Sequence, residues 1–538
     1  MPLLSLTFPR SSRSGMSLVK SRIVLSRSSA NAESGILSPL SSRRGHSLGC
    51  RVCACERTIS SGRDAHISPE AMAEYVFPFR ESGDGSVSNV AIPEPVLSIS
   101  PPAALRPKAT AADLRHRQFL GDGYWRDRLP VYASVPDEEF LSHAFQNKNS
   151  VTSVKALREA VGGRVSDTFF DDIQAGMAQA PMLLRLSPYL LSLIDWDDPY
   201  HDPLRRQFIP VASTREPDHP MLTLDSLAEH ADSPVPGLVH RYQDKVLFLA
   251  LDVCPVYCRF CTRSYAIGGN TNSVSKVNFK PVREKWERVF AYLRSRPEIE
   301  DVVVSGGDAY FLPADRLKAI GDTLLAIPHI RRIRLATKGP AVMPMKILSD
   351  NKWTDALIDM ARKGRAMNKE VCLHTHFNHA NEITDVTRRA MGYLYREGVV
   401  SRNQSVMIRG VNDSDSAMND LVKKLSTINV QPYYVYQHDM VLGVEELRTR
   451  VGKTANIEKA VRGTTAGFNT PTFVTDAPGG GGKRVVHSWE HYDEETGIAV
   501  YRSPAVDSDK AYLYFDPLSR LSNDAQERWE DESEHEAM

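Results

Sequence analysis

Cys254, Cys258 and Cys261 stand in "LDVCPVYCRFCTR" with C-x3-C-x2-C spacing. Three thiolates held that close must be neutralised by metal or stay protonated. A structural zinc site takes four ligands, usually as C-x2-4-C pairs, and the chain offers no second pair. His240, as a fourth ligand, lies on the far side of the preceding strand. A cubane iron–sulfur cluster normally takes four cysteines; held by three, it keeps one iron open for another ligand. Zinc and coincidental free thiols are the competing readings. The second chemical stretch is "APGGGGKR", Ala477 to Arg484. A nucleotide P-loop requires G-x-x-x-x-G-K-[ST]. Ala477 and Arg484 occupy two of its four fixed positions, so that reading fails. What remains is a lysine, Lys483, with backbone room around it.

These residues need a scaffold, and the chain supplies one by alternation. Short apolar runs at 246–251, 301–305, 331–336, 370–374, 404–409 and 432–436 predict strands, with amphipathic helical segments between them. Repeated β-α units with continuous apolar strands mean a parallel sheet covered on both faces. Polar residues follow most strands: the cysteines after the first, "GGD" after the second, "HFNH" after the fourth, "QHD" after the sixth. Contributions from so many strand ends favour a barrel-like cup over an open doubly wound sheet. Upstream, "DEEFLSHAF", "SVKALREAV", "FFDDIQAGMA" and "PYLLSLI" predict helices, and 196–236 is turn-rich. Near the C-terminus "GIAVYR" and "AYLYF" predict strands.

Composition narrows the class. The chain has 538 residues, 42% of them hydrophobic and 25% charged, as in an ordinary globular protein. Zero formal net charge gives no argument for nucleic acid or a membrane surface as partner. No apolar run approaches the roughly 18 residues that span a bilayer. Seven cysteines make no disulfide framework. Residues 1–55 are basic and serine-rich with Glu33 as their one acid, the composition of an organelle transit peptide. This predicts import into the mitochondrial matrix, with plastid or cytoplasm as alternatives.

The cysteine spacing resembles that of the radical S-adenosylmethionine enzymes. In them three cysteines hold a [4Fe–4S] cluster and the open iron chelates the cofactor's methionine. "VVVSGGD" (302–308) is similar to that family's Gly-Gly-acid element. Ser305, Gly306, Gly307 and Asp308 are therefore expected at the cofactor, with Asp308 on the methionyl amine. Further motifs, "HRYQDK", "THFNHANEIT", "NQSVMIRGVND", "PYYVYQHD" and "PTFVTDAPGGGGK", follow in order within a resemblance that covers about residues 180–500. Together they resemble the lysine 2,3-aminomutase family. That resemblance implies a partial (βα)6 barrel, a [4Fe–4S] cluster, S-adenosylmethionine and pyridoxal 5'-phosphate (PLP). The expected layout is a transit peptide over 1–55, a disordered linker over 56–110 and a helical region over 111–236. The barrel follows over 237–440, a C-terminal PLP-lysine and substrate region over 441–520, and an acidic tail over 521–538.

By the same resemblance Lys483 is the Schiff-base lysine of PLP. Arg241 and Lys245 flank the PLP phosphate, and His376 and Gln404 lie near S-adenosylmethionine. Arg263 holds the substrate carboxylate. Asp439 and Asp476 bind the ε-ammonium of L-lysine, against glutamate or protein-bound lysine as alternative substrates. A reductant such as a ferredoxin or flavodoxin-like donor and a homo-oligomer are also implied. The sequence departs from the family at Ser264 and Tyr265, where Arg-Arg is common, and at His374, where Asn is common. It departs again at Ser414, where some members have a zinc-binding Cys. No cysteine follows Cys372, so structural zinc is not expected.

Overall fold

The computed structural model describes residues 110, 112–277 and 283–531. All belong to one unit, Ser100–Met538; a second unit, Met1–Ile99, lies outside the described residues. So do the transit peptide expected over 1–55 and nearly all of the linker expected over 56–110.

Nine strands form one sheet in strict chain order. They are β1 (Leu238–Tyr242), β2 (Lys245–Leu251), β3 (Asp301–Gly306), β4 (Arg332–Thr337), β5 (Glu370–Thr375), β6 (Val400–Val406), β7 (Gln431–Tyr436), β8 (Thr472–Ala477) and β9 (Gly482–Val485). β2 to β8 are parallel; β1 and β9 pair antiparallel at the two edges. This is the expected α/β partial barrel, with a helical region before it and an extension after it. A further sheet, β10 (His491–Asp493), β11 (Ile498–Ser503) and β12 (Asp507–Phe515), is antiparallel.

The strand residues divide by face. Val302, Val304, Ile333, Leu335 and Leu373 are buried with helix residues such as Leu317, Ile320, Leu324 and Leu357. Each such side chain contributes roughly 1.5–3 kcal/mol. Several of the alternate residues are charged and pair between neighbouring strands. Arg334 donates to Asp301 at 2.8 Å, Arg402 to Glu370 at 2.8 Å and to the Cys372 sulfur at 3.1 Å. The strands are thus less continuously apolar than expected, because charge pairs fill one face.

Two expectations are corrected and two are refined. β6 begins at Val400, four residues before the expected 404–409, because its first half is the polar "VSRN". The barrel sheet runs past 440 through β8 and β9, so the region expected as separate over 441–520 completes the barrel before forming β10–β12. "TFVTDA" carries too few apolar residues to read as a parallel strand. The tail expected from 521 contains a helix, Asn523–Glu530, capped by Ser522 and anchored by buried Ala525 and Trp529. "DEEFLSHAF" forms two short helices, since Ser142 accepts the Phe145 N–H at 3.2 Å and starts the second. Ser414 likewise caps Asp415–Thr427 by accepting the Ala417 N–H.

Candidate active site

The three cysteines lie half-buried on the loop after β2. Burial pushes all three thiols above their ordinary range, and the neighbouring thiols add to this for Cys254 and Cys258. Lys338 acts the other way on Cys258, as Arg185 does on Cys254. Neutral thiols and nearby cations suit an anionic cluster, whose charge replaces the protons. Among the described residues no three His, Cys, Asp or Glu side chains converge on one ion. Cys258 and Cys261 are close enough to Cys254, and Cys261 to Cys258, to act on their thiols electrostatically.

The "GGD" turn after β3 braces this loop. Gly307 N–H donates to Leu251 O at 2.6 Å and Asp308 N–H to Val253 O at 3.0 Å. A Cβ on Gly306 would overlap Leu251 O, one on Gly307 would overlap Val253 O, and Gly306 has φ +104°. The glycines therefore serve loop packing as well as any cofactor. Ser305 is buried near the C-terminal end of β3. Asp308 differs more from expectation. Its Oδ1 accepts the Tyr310 N–H (2.9 Å) and its Oδ2 the Lys338 N–H (2.7 Å). It is a buried cap, not a free carboxylate, although it is close enough to raise the pKa of Cys254. Gly306→Ala is expected to cost about 1–3 kcal/mol from backbone strain alone. Thermal unfolding measures that loss, and a lower iron-to-protein ratio after reconstitution would show that the turn holds the cysteine loop.

His376 follows β5 and stacks on Phe260 of the cysteine loop at 5.5 Å. Burial lowers its pKa well below the ordinary value, with Lys338 adding to the effect. Its Nε2 is buried without a hydrogen-bond partner. Gln404 is less available: it bonds His374 Nδ1 at 3.0 Å and accepts from the Tyr436 hydroxyl at 3.4 Å. The family departure at His374 is thereby tied to a site residue.

The second half of the site sits where the sheet's two edges meet. Lys483 on β9 donates its backbone N–H to the Tyr242 hydroxyl of β1 at 2.7 Å. Its Nζ is 2.9 Å from Asp476 Oδ2 and 5.5 Å from the Tyr436 ring centroid. Burial disfavours the ammonium, but Asp476 and the two tyrosines outweigh it and hold the pKa well above its ordinary value. Arg241 Nη1 lies 3.9 Å from Asp476 Oδ1. Its Nε donates to Asp232 at 2.6 Å, and its Nη2 donates to Leu227 O. Lys245 is farther out, 38% exposed, paired with Asp244 and 4.2 Å from the Tyr242 ring centroid. A Cβ on Gly482, at φ +71°, would overlap the Tyr242 hydroxyl, whereas Gly479 has open space around it. Buried Ser226 Oγ and Arg484 Nε lack partners. An amine, Arg241 and the open space at Gly479 fit PLP.

Asp439, in the loop after β7, accepts the Thr262 hydroxyl at 2.6 Å on Oδ2. Its Oδ1 and Asp476 Oδ1 are both buried without a hydrogen-bond partner. Burial, then the charge of Asp476, push the Asp439 carboxyl up to about 7. Arg263 is already engaged on one edge. Its Nε and Nη2 form a two-point ion pair with Glu229, at 2.8 and 2.5 Å, so the fork expected for a substrate carboxylate already has one partner. Glu229 was not legible in the sequence. It lies in "DSLAEHAD", a turn without periodicity, and only the need of a buried arginine for a carboxylate could have pointed to it.

A thiol triplet on the first βα loop of a partial parallel barrel, facing an anionic amine-lined pocket built from the last strands, defines a radical S-adenosylmethionine enzyme. No family model matches the chain. It is 40% identical over 361 residues to the L-lysine 2,3-aminomutase of Clostridium subterminale, covering 67% of this chain and 81% of the relative. The L-lysine 2,3-aminomutase of Bacillus subtilis is 34% identical, covering 69% and 74%. The glutamate 2,3-aminomutase of Clostridioides difficile is 32% identical, covering 64% and 76%. The chain belongs to the lysine 2,3-aminomutase family. It is an isomerase, and the family's chemistry implies a [4Fe–4S] cluster and S-adenosylmethionine.

Proposed function

We propose that this chain converts L-lysine to β-lysine by 2,3-amino migration, with PLP held on Lys483. The pair Asp439 and Asp476 carries the reading: two buried carboxylates, electrostatically coupled, each with one unpartnered oxygen. Such a pair attracts an ammonium and rejects a second carboxylate, which separates lysine from glutamate. The relatives named L-lysine 2,3-aminomutase support the same choice.

Cys254, Cys258 and Cys261 would hold the cluster, and His376 would contact S-adenosylmethionine. Lys483, Arg241 and the Gly479–Gly482 turn would hold PLP. Bound there, the cluster with S-adenosylmethionine supplies a hydrogen-abstracting radical, and PLP supplies a conjugated system that carries the migrating nitrogen. The chain's own groups bind and orient. Lys483 now fills the clamp with its own ammonium; when it is drawn elsewhere, Asp476 Oδ2 is released for the substrate's ε-ammonium. Arg263 retains Nη1 for the substrate carboxylate. No buried acid–base couple is asked to move a proton during migration.

An external one-electron donor of ferredoxin or flavodoxin type and a homo-oligomeric assembly complete this reading. The composition of residues 1–55 supports import into the mitochondrial matrix. Anaerobic reconstitution with iron, sulfide, S-adenosylmethionine and PLP, followed by chromatography of products from single amino acids, tests the function. β-Lysine from L-lysine is the expected result; turnover of glutamate with none of lysine would sink it. Cys258→Ala is expected to abolish both the cluster's absorbance and turnover, because two thiols leave two irons unanchored.

A further inference from the structure

We propose that Glu229 is the specificity residue of this pocket: it grips Arg263 by one edge and cancels its charge, so that the site accepts one carboxylate and rejects a second. The inference deepens the lysine reading and rests on it. Glu229 is buried, with a side chain 5% exposed, while Arg263 is 21% exposed. Glu229 Oε1 accepts from Nη2 of Arg263, and Oε2 accepts from Nε and from the Tyr265 hydroxyl (2.9 Å). A guanidinium presents two edges to carboxylates. The Nε/Nη2 edge is taken, and among the described residues Nη1 makes no hydrogen bond. One edge is therefore fixed and the other stays open.

The turn carrying Glu229 is itself held in place. Asp225 Oδ1 accepts the Glu229 N–H at 3.0 Å and its Oδ2 the His230 N–H at 3.1 Å. Ala228 between them adopts φ +52°, a strain of about 1–3 kcal/mol that the surrounding contacts must offset. The same turn reaches the cofactor half of the site. Ser226 O accepts the Gly479 N–H at 2.9 Å, and Asp232 pairs with Arg241. Segment 225–232 thus sets Arg263, Arg241 and the glycine turn relative to one another.

Charge counting gives the consequence. Arg241, Arg263 and Lys483 face Glu229, Asp232, Asp439 and Asp476. Removing the Glu229 charge leaves Arg263 as an uncompensated, largely buried cation. That cation repels a diamine and draws a dicarboxylate. A unit charge several ångströms away in a partly buried site shifts affinity by about tenfold or more.

The test uses the reconstituted holoenzyme and two probes, 1,5-diaminopentane and glutarate, with dissociation constants read by calorimetry. Turnover is measured separately, so failure to convert L-lysine and failure here are distinct results. In Glu229→Gln the diamine is expected to bind about tenfold more weakly and glutarate about tenfold more tightly than in wild type. Glu229→Asp keeps the charge and is expected to keep the wild-type order of the two. Equal weakening of both probes, movement of neither, or no diamine binding to wild type would each overturn the proposal. Unchanged iron content in both variants identifies the effect as electrostatic; iron loss in Glu229→Gln would overturn it in favour of a purely structural role.

Discussion

Lys483→Ala is expected to lower kcat for L-lysine by at least ~10³-fold, the scale of losing a covalent catalytic group, with iron content unchanged. The separation is expected because the two halves of the site are built by different elements. The cysteines sit on the loop after β2, braced by the turn after β3, whereas Lys483 sits on β9 at the opposite edge of the sheet. Lys483 reaches the rest of the molecule through its backbone bond to Tyr242, which alanine retains, and through its ammonium on Asp476, which alanine loses. Asp476 then keeps only Arg241, at 3.9 Å, as a cationic neighbour. PLP is expected to wash out of the variant on gel filtration. A small amine such as ethylamine, filling the space vacated by the side chain, is expected to restore part of the turnover. Retention of wild-type PLP absorbance through gel filtration would remove Lys483 from the anchoring role.

What the sequence made legible, and what it hid, follows from how far each contact reaches along the chain. The thiol triplet spans eight residues on one loop, so its spacing is its geometry. Lys483 and Asp476 are also local, joined by a tight turn between β8 and β9. The Gly-Gly-Asp element was legible as a strand-end turn. The pattern could not tell whether Asp308 is free or capped by Lys338 N–H, thirty residues on. Arg263 was visible as a charge beside the cysteines, but its partner Glu229 lies 34 residues upstream in a turn without periodic signal. β8 escaped for a related reason: five of its six residues are buried, yet "TFVTDA" spends half its length on polar side chains because it carries the site. The barrel was therefore readable where strands serve only the core, and obscured where a strand serves function.

The open sheet also explains where the second half of the site falls. β1 and β9 are its edges, and side chains bridge them: Tyr242 to the Lys483 backbone, Arg241 toward Asp476. An exposed strand edge is an aggregation hazard. Here the edge strands are bridged by the functional residues themselves. The Ser226 carbonyl on Gly479 ties the same turn to the segment that carries Glu229.

Asp439→Asn is expected to weaken L-lysine use while stabilising the fold, two effects of opposite sign from one carboxyl. Burial, followed by the charge of Asp476, pushes Asp439 up to about 7 from its ordinary 3.8. Below that value the group is protonated and the clamp carries less negative charge; above it both carboxylates face the ε-ammonium. In the wild type, kcat/KM for L-lysine should therefore climb by up to roughly tenfold per pH unit and level off above about pH 7. Asparagine removes that limb. Above it the variant should lie ~100-fold below wild type, the usual penalty for truncating one member of a buried ionic contact. Stability runs the other way. The unfolded chain releases this proton near 3.8, while the folded chain keeps it to about 7, so stability falls as pH rises between the two values and the deficit persists above. Asparagine carries no such charge, and its Tm at alkaline pH should exceed that of wild type. Calorimetry and steady-state rates on the same preparations check both arms. A variant that loses Tm along with kcat/KM would show that Asp439 is a structural carboxylate held by Thr262 rather than half of an ammonium clamp.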